Sequence, residues 1–393
     1  MTLFFFGSAL FAFLFFIYTT LILARNSVQL KPIIPDDLHN ENPDPIADSI
    51  TICIPARNEE EVIEQVTLSA LNQQDEETKV VVLDDNSTDQ TGEILSRLNA
   101  EYQQLTVISG RPKPDDWLGK PWASQQLFEQ AKTEWLIFVD ADTQLEPGFI
   151  EGVRTHISYY NLEGFTVWPR QILKSTAEKI IVPMVYYALL TMLNSIYVFR
   201  PPRWMPSFLK QKFHPAFAAA CGQCMGFKRS ALTDVGGFSG VKEKVVDDVE
   251  LSRLMLLKRH PFRMFHGVEG ISCRMYRDYS TVFEGFRKNF FAGFQYNYGL
   301  FILMAVIHLI AFIIPAVILG YGFATLHSGW IFIGGCLVLL PIVQRMWLAS
   351  WFKWENKYAF THILGVIWFQ YLGIITMKDR LLKRKVNWKG RDV

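Results

Sequence analysis

Leu3 to Ala24 is an unbroken run of 22 uncharged residues, more than the roughly 20 a helix needs to cross a hydrocarbon core. A cleaved secretory signal would open on basic residues and carry an apolar region of about 7–15. Neither is present, so residues 1–25 read as a retained transmembrane anchor. Arg25 and Lys31 follow it and no basic residue precedes it, which places the next domain in the cytoplasm by the positive-inside rule. Further apolar blocks lie at Leu300–Leu326, Trp330–Ala349 and Tyr358–Met377. Trp347, Trp351 and Trp354 cluster with Lys353 and Lys357 as an interfacial belt does. Charged residues make up 20% of the chain, below the roughly 25% of soluble domains. The tail from Lys378 holds seven basic and two acidic residues and is expected on the cytoplasmic side. Three full crossings after a cytoplasmic domain would put that tail outside. Either one block is re-entrant or interfacial, with Tyr358–Met377 singled out by His362 and Gln370, or the tail breaks the charge rule. Ile180–Val198 is uncharged for 19 residues but is interrupted by Pro183, Asn194 and Ser195, so it is expected to lie on the membrane surface.

Residues 26–48, with Pro32, Pro35, Pro43 and Pro45, read as a linker. From Ile50 onward, short apolar runs alternate with helical ones. Strands are expected at Ile50–Ile54, Lys79–Leu83, Thr106–Ser109 and Trp135–Val139. Helices are expected at Glu59–Asn72, after the Asp/Ser/Thr run that ends at Asp89, and near Gln125–Ala131. Strands separated by helices imply an α/β fold with a parallel sheet and right-handed crossovers. Strand one runs into Pro55-Ala56-Arg57-Asn58-Glu59, strand two into Asp84-Asp85-Asn86, and strand four into Asp140-Ala141-Asp142. In a parallel sheet these carboxyl ends share one edge, where ligands bind. Acids gathered there repel one another unless a cation or hydrogen-bond donors intervene.

The first strand lacks a GxGxxG turn, which argues against a dinucleotide. Gly119-Lys120-Pro121 lacks the remainder of a phosphate-binding P-loop. An Asp-x-Asp pair after a strand can hold a hard divalent cation whose shell a diphosphate completes. These parts suit a nucleotide diphosphate conjugate bound with Mg²⁺ or Mn²⁺. A formal net charge of +1 argues against nucleic acid as a partner. Five scattered cysteines argue against a disulfide scaffold, and Cys221-Gly-Gln-Cys224 has no second pair at zinc spacing.

Ile52-Cys-Ile-Pro-Ala-Arg-Asn-Glu59, Asp84-Asp-Asn-Ser-Thr-Asp89, Asp140-Ala-Asp142 and Asp247-Asp248 resemble, in order, the motifs of family 2 glycosyltransferases of the GT-A fold. Trp117-Leu-Gly-Lys-Pro-Trp122, Gly222-Gln-Cys-Met225, Arg274-Met-Tyr276, Lys288-Asn289 and Trp388-Lys-Gly-Arg391 resemble its membrane-bound branch. That branch includes 4,4'-diaponeurosporenoate (carotenoid-acid) glycosyltransferases and ceramide glucosyltransferase-like and hopanoid-associated enzymes. The resemblance implies a Rossmann-like GT-A domain over 49–292, membrane helices over 293–378 and a basic tail over 379–393. It implies donor contacts from Pro55, Ala56 and Glu59 around the nucleoside, from Asp84 (with Asp85 beside it) to uracil, and from Lys120 to phosphate. Asp140 would face the ribose and Asp142 would bind the metal. Asp248 would be the base and Asp247, one methylene shorter than the family's Glu, its helper. Arg274 and Arg277 fall where processive relatives carry Gln-x-x-Arg-Trp and would stabilise the departing diphosphate. The longer motif is missing, which favours transfer of a single sugar.

Each of these residues also has a plainer reading. Asp-Asn-Ser-Thr-Asp is good helix-capping chemistry. Lys120 could be a solvated loop lysine, and acids at 247–248 suit a helix N-terminus. Arg274 and Arg277 could serve only as a positive-inside signal. The expectation is an inverting, metal-dependent, multi-pass membrane glycosyltransferase that moves one sugar from a UDP-sugar, UDP-glucose by preference, to a lipid. The acceptor is a carotenoid carboxylic acid, or in the alternative a ceramide, glycerolipid or hopanoid. A rival of another class is a membrane scaffold with a degenerate GT-A domain. Oligomeric state is not legible in the sequence.

Overall fold

The computed structural model describes residues 2–35, 48–73, 77–382, 384, 387–388 and 391–392. Most of the expected linker, 36–47, lies outside the described residues, as do Lys389 and Gly390 of the tail motif. At its centre is an eight-stranded sheet: β1 Ile50–Ala56, β2 Thr78–Asp84, β3 Leu105–Ser109, β4 Trp135–Val139, β5 Thr143–Leu145, β6 Gly164–Gln171, β7 Cys224–Lys228 and β8 Phe262–Cys273. Their spatial order is β3-β2-β1-β4-β7-β6-β8-β5.

Alternation along the strands separates the two faces of the sheet. Ile52, Ile54, Val80, Val82, Ile137 and Val139 point into one apolar layer with Phe149 and Val153. Cys53, Val81, Leu83, Leu136 and Phe138 point into the other. That second layer continues into Phe16 and Leu23 of the N-terminal helix and Phe312 and Leu348 of the C-terminal ones. Core and apolar helices therefore form one continuous packed body.

The first half of the sheet is parallel, as expected: β1 pairs with β2 and with β4, and β2 with β3. The second half, whose strands were not expected from the sequence, is mixed. β7 runs antiparallel to β4 and to β6, and β5 antiparallel to β8. Gly226 in β7 permits this arrangement, because a Cβ there would lie 2.1 Å from the ring of Phe165.

Among the described residues four helices are long and apolar enough to cross a membrane by length and composition: Thr2–Gln29, Tyr298–Ala324, Ser328–Trp351 and Asn356–Leu381. The first extends past the expected limit at residue 25. Chain expected as linker then packs down, with Leu30 and Ile33 buried and the Ile33 N–H donating to the His266 carbonyl at 2.8 Å. In the second, a π-helical turn at Leu309–Ile313 precedes Pro315, which has no N–H to give and would clash with a regular preceding turn.

Helix Thr176–Met192 is internal, with Ile181, Val182, Tyr186, Tyr187 and Leu190 buried. It is not among the four helices long and apolar enough to cross a membrane. It is wedged between the sheet domain and the apolar helices. The last helix is tied to the sheet domain at both ends. Before it, Trp354 Nε1 donates to the Gln171 carbonyl at 2.9 Å and Glu355 pairs with Lys179 at 2.5 Å. At its end, Asp379 pairs with Arg287 at 2.7 Å. Its exposed stripe of Leu364, Ile367, Tyr371 and Ile374 recurs every three or four residues, giving one apolar face.

Candidate active site

The loops after β1 and β2 are sewn together. The Asp85 N–H donates to the Ala56 carbonyl at 2.8 Å, the Thr88 N–H to Asn58 Oδ1 at 2.8 Å, and the Glu59 N–H to Thr91 Oγ1 at 2.8 Å. Asn58 and Asn86 take left-handed backbone angles, φ 53° and 55°, which asparagine tolerates better than most residues. A cavity of about 970 Å³ opens beside these loops, and Pro55, Ala56, Glu59 and Asp85 line it. Asp84 is not among the lining residues. Its Oδ1 accepts the Ser87 N–H at 2.9 Å, so it closes the turn after β2, seven residues before the helix that begins at Thr91. Asp85, 3% exposed, is the acid that meets the cavity.

Asp140, Asp142, Asp247 and Asp248 line the same space, with Lys120 among them. Lys120 Nζ lies 2.5 Å from Asp140 Oδ1 and donates to the Gly222 carbonyl at 3.2 Å. Burial works against its charge, but Asp140, Asp247 and Asp248 outweigh it and hold the ammonium well above the ordinary lysine range. Asp248 is oriented by two backbone donors, Gly222 N–H to Oδ2 and Val249 N–H to Oδ1, both at 2.9 Å. Burial nonetheless raises its carboxyl. Burial pushes Asp247 up to about 6, with Lys120 opposing and Asp248 reinforcing the shift. Gly222 packs closely here, since a Cβ would lie 3.3 Å from both Asp248 Cβ and Oδ2.

Among the described residues no three His, Cys, Asp or Glu side chains group as a ready-made metal cage. Mg²⁺ and its mimics need no such cage, because they take one or two carboxylates and let substrate phosphates complete the shell. Asp142 supplies such a hard oxygen at the cavity wall, steadied by Thr143 Oγ1 at 3.3 Å and Cys273 Sγ at 3.4 Å. The donor set fits a divalent cation shared with a diphosphate.

Arg274 and Arg277, expected at the leaving group, do not line the cavity. Arg274 Nε lies 3.4 Å from Glu178 Oε1, a carboxylate 1% exposed that needs a counter-charge, and Arg277 pairs with Glu61. The cavity's other cations are Arg57 and Lys288, which lie within motifs quoted above but carried no assigned role, and Lys113 and Lys244, which the sequence did not single out. Lys288 sits in a basic run that is legible in the sequence. Only the fold shows that its neighbour Arg287 turns away to Asp379. At its far end the cavity is walled by Met192, Phe301, Met304, Phe312 and Phe369, contributed by the wedge helix and the apolar C-terminal helices.

Residues 51–236 match the model of the family described as Glycosyl transferase family 2. The chain is 25% identical over 246 residues to a 4,4'-diaponeurosporenoate glycosyltransferase of Staphylococcus haemolyticus, a match covering 62% of each chain. It is 26% identical over 250 residues to the protein of that name from Staphylococcus aureus strain USA300, covering 62% of this chain and 61% of that one. The matches thus take in less than two thirds of these relatives' length. Among solved structures, a mannosyltransferase of Pyrobaculum calidifontis in complex with GDP-Man and Mn²⁺ shares the fold at TM-score 0.50 and 15% identity, covering 92% of this chain and 99% of that one.

Proposed function

We propose that this chain, whose residues 51–236 match the model of Glycosyl transferase family 2, transfers a single sugar from a UDP-sugar, UDP-glucose by preference, to a lipid drawn from the membrane. One observation carries this reading. A single cavity of about 970 Å³ joins Asp140, Asp142, Asp247 and Asp248 at one end to Phe301, Phe312 and Phe369 of the apolar helices at the other. An acceptor with a long apolar body can rest among the aromatic rings while its polar end meets the acids.

In this reading Pro55, Ala56, Glu59 and Asp85 hold the nucleoside, and Asp140 faces the ribose. Lys120 passes from Asp140 to the donor's phosphates as a point charge. A Mg²⁺ or Mn²⁺ ion held by Asp142 would supply Lewis-acid neutralisation of the departing diphosphate. Asp248, fixed by two N–H donors, keeps lone pairs for an acceptor proton and receives it as the acceptor oxygen attacks the anomeric carbon from the face opposite the leaving group. Configuration inverts. General-base help of this kind is worth about 10²–10⁴-fold. A carboxylic acid acceptor, with a pKa near ~4.3, is already ionised at neutral pH and needs little of it.

In the membrane, helices Thr2–Gln29, Tyr298–Ala324 and Ser328–Trp351 cross, and Asn356–Leu381 lies along the cytoplasmic face with its apolar stripe in the lipid. Such an arrangement keeps the basic tail beside the catalytic domain and resolves the odd count of C-terminal blocks. Its support is the pairing of that helix with the sheet domain at both ends. The test of function is incubation of membranes containing the protein with UDP-glucose or GDP-mannose and extracted lipids, followed by mass spectrometry. The expected product is a monoglucosylated lipid made with Mg²⁺ or Mn²⁺ present. No glycolipid from UDP-glucose, or a glycolipid from GDP-mannose alone, would overturn the proposal.

A further inference from the structure

A second cavity, of about 210 Å³, lies where the end of β6 meets helix Ser328–Trp351 and the wedge helix. Its wall carries four cations: Arg170, Lys179, Arg345 and Lys353. The two lysines are neutralised, Lys179 by Glu355 and Lys353 by Glu269. The two arginines are not. Among the described residues neither forms an ion pair with a carboxylate. Arg170 Nε is buried without a hydrogen-bond partner. Arg345 is 3% exposed, with Nη1 set against Met184 Sδ at 2.7 Å.

A guanidinium does not shed its proton, so a positive charge withdrawn this far from water calls for an anion. Arg345 precedes Trp351 by six residues, about 9 Å along a helix, and Trp351 marks the interfacial level. Lys353, Trp354 and Glu355, just past Trp351, also line the cavity, which puts its mouth at headgroup level in the proposed membrane arrangement, and basic pockets between helices on the cytoplasmic side are suited to anionic headgroups. At ~30 Å³ per water it has room for a phosphate group with several waters. Gln171 lines both this cavity and the donor crevice.

We propose that this cavity is a phosphate-binding site, distinct from the donor site, in which Arg170 and Arg345 grip a phosphate oxyanion. A phospholipid headgroup and free inorganic phosphate offer that same chemistry. The test uses the full chain purified in neutral detergent, with native mass spectrometry and thermal unfolding against phosphatidylglycerol, and against sodium phosphate with sodium chloride at matched ionic strength. Wild type is expected to retain one phosphate-bearing ligand per chain, at least about tenfold more tightly than Arg170→Gln or Arg345→Gln. Arg97→Gln, which removes a distant exposed charge, should bind as wild type does. Binding of phosphatidylglycerol that sodium phosphate does not displace identifies a lipid site. Displacement, or stabilisation by sodium phosphate alone, identifies a site for the free anion. Either result supports the proposal. Wild type that binds neither, or arginine variants that bind as well as wild type, would overturn it. If Arg345→Gln does not fold, the half-buried Arg170 carries the comparison alone.

Discussion

Burial lifts the Asp247 carboxyl to about 6, with Lys120 pulling it down and Asp248 pushing it up. Two adjacent acids in one cavity titrate as a pair, so the first proton added as pH falls belongs to both. In the proposed mechanism a proton taken up as pH falls through about 6, where Asp247 titrates, weakens base assistance, and burial raises the neighbouring Asp248 carboxyl as well. With a hydroxyl acceptor, kcat/KM is expected to fall about tenfold per pH unit below 6, and Asp247→Asn should move that limb to lower pH by removing the repelling charge. A profile flat from pH 5 to 7 would contradict the assignment. Asp248→Asn should lose about 10²–10⁴-fold in kcat on a hydroxyl acceptor and far less on a carboxylate. Equal loss on both would mean that Asp248 positions substrate and does not take a proton. At this scale the acids are legible from where the strands end. Which of Asp84 and Asp85 meets the cavity is not, because one rotation of the turn decides it and Ser87 decides the rotation.

The wedge helix Thr176–Met192 depends on one side chain of the N-terminal helix. Asn26, fully buried, donates to the carbonyls of Leu190 and Leu193 at 2.8 and 2.7 Å, and its Oδ1 accepts from the Ser195 N–H and hydroxyl, both at 2.9 Å. Removing one partner of a buried polar pair costs about 1–3 kcal/mol. Asn26→Ala strands several partners together and is expected to destabilise by at least about 3 kcal/mol, read as a lowered unfolding temperature in detergent. An unchanged transition would mean that the two helices hold together by apolar packing alone. Strands β1 to β4 are legible because their alternation and acidic ends agree. The second half of the sheet is not, because Pro169 and Arg170 break the register of β6 and Gly267 and Gly270 interrupt β8. Contacts distant in sequence hold those strands, and local propensity does not announce them.

For the whole molecule, the placement of helix Asn356–Leu381 sets the side on which the chain ends. A tag on the C-terminus is expected to be protected from protease in sealed right-side-out cells and cleaved in inverted vesicles, together with the catalytic domain. Cleavage in intact cells would mean that the last helix crosses. The four apolar blocks and the superfamily motifs can be read directly from the sequence. The cavity that joins the acids to the apolar helices cannot, since residues some 200 positions apart, such as Asp85 and Phe301, line it together only through the fold. The central claim is that carboxylates at the sheet edge bind a sugar nucleotide through a divalent ion. Titration calorimetry of UDP into the purified protein tests it most directly. The account predicts saturable heat with Mn²⁺ that disappears in Asp142→Asn and when the metal is chelated. Equal heat in wild type and Asp142→Asn, or none in wild type with either cation, would contradict it.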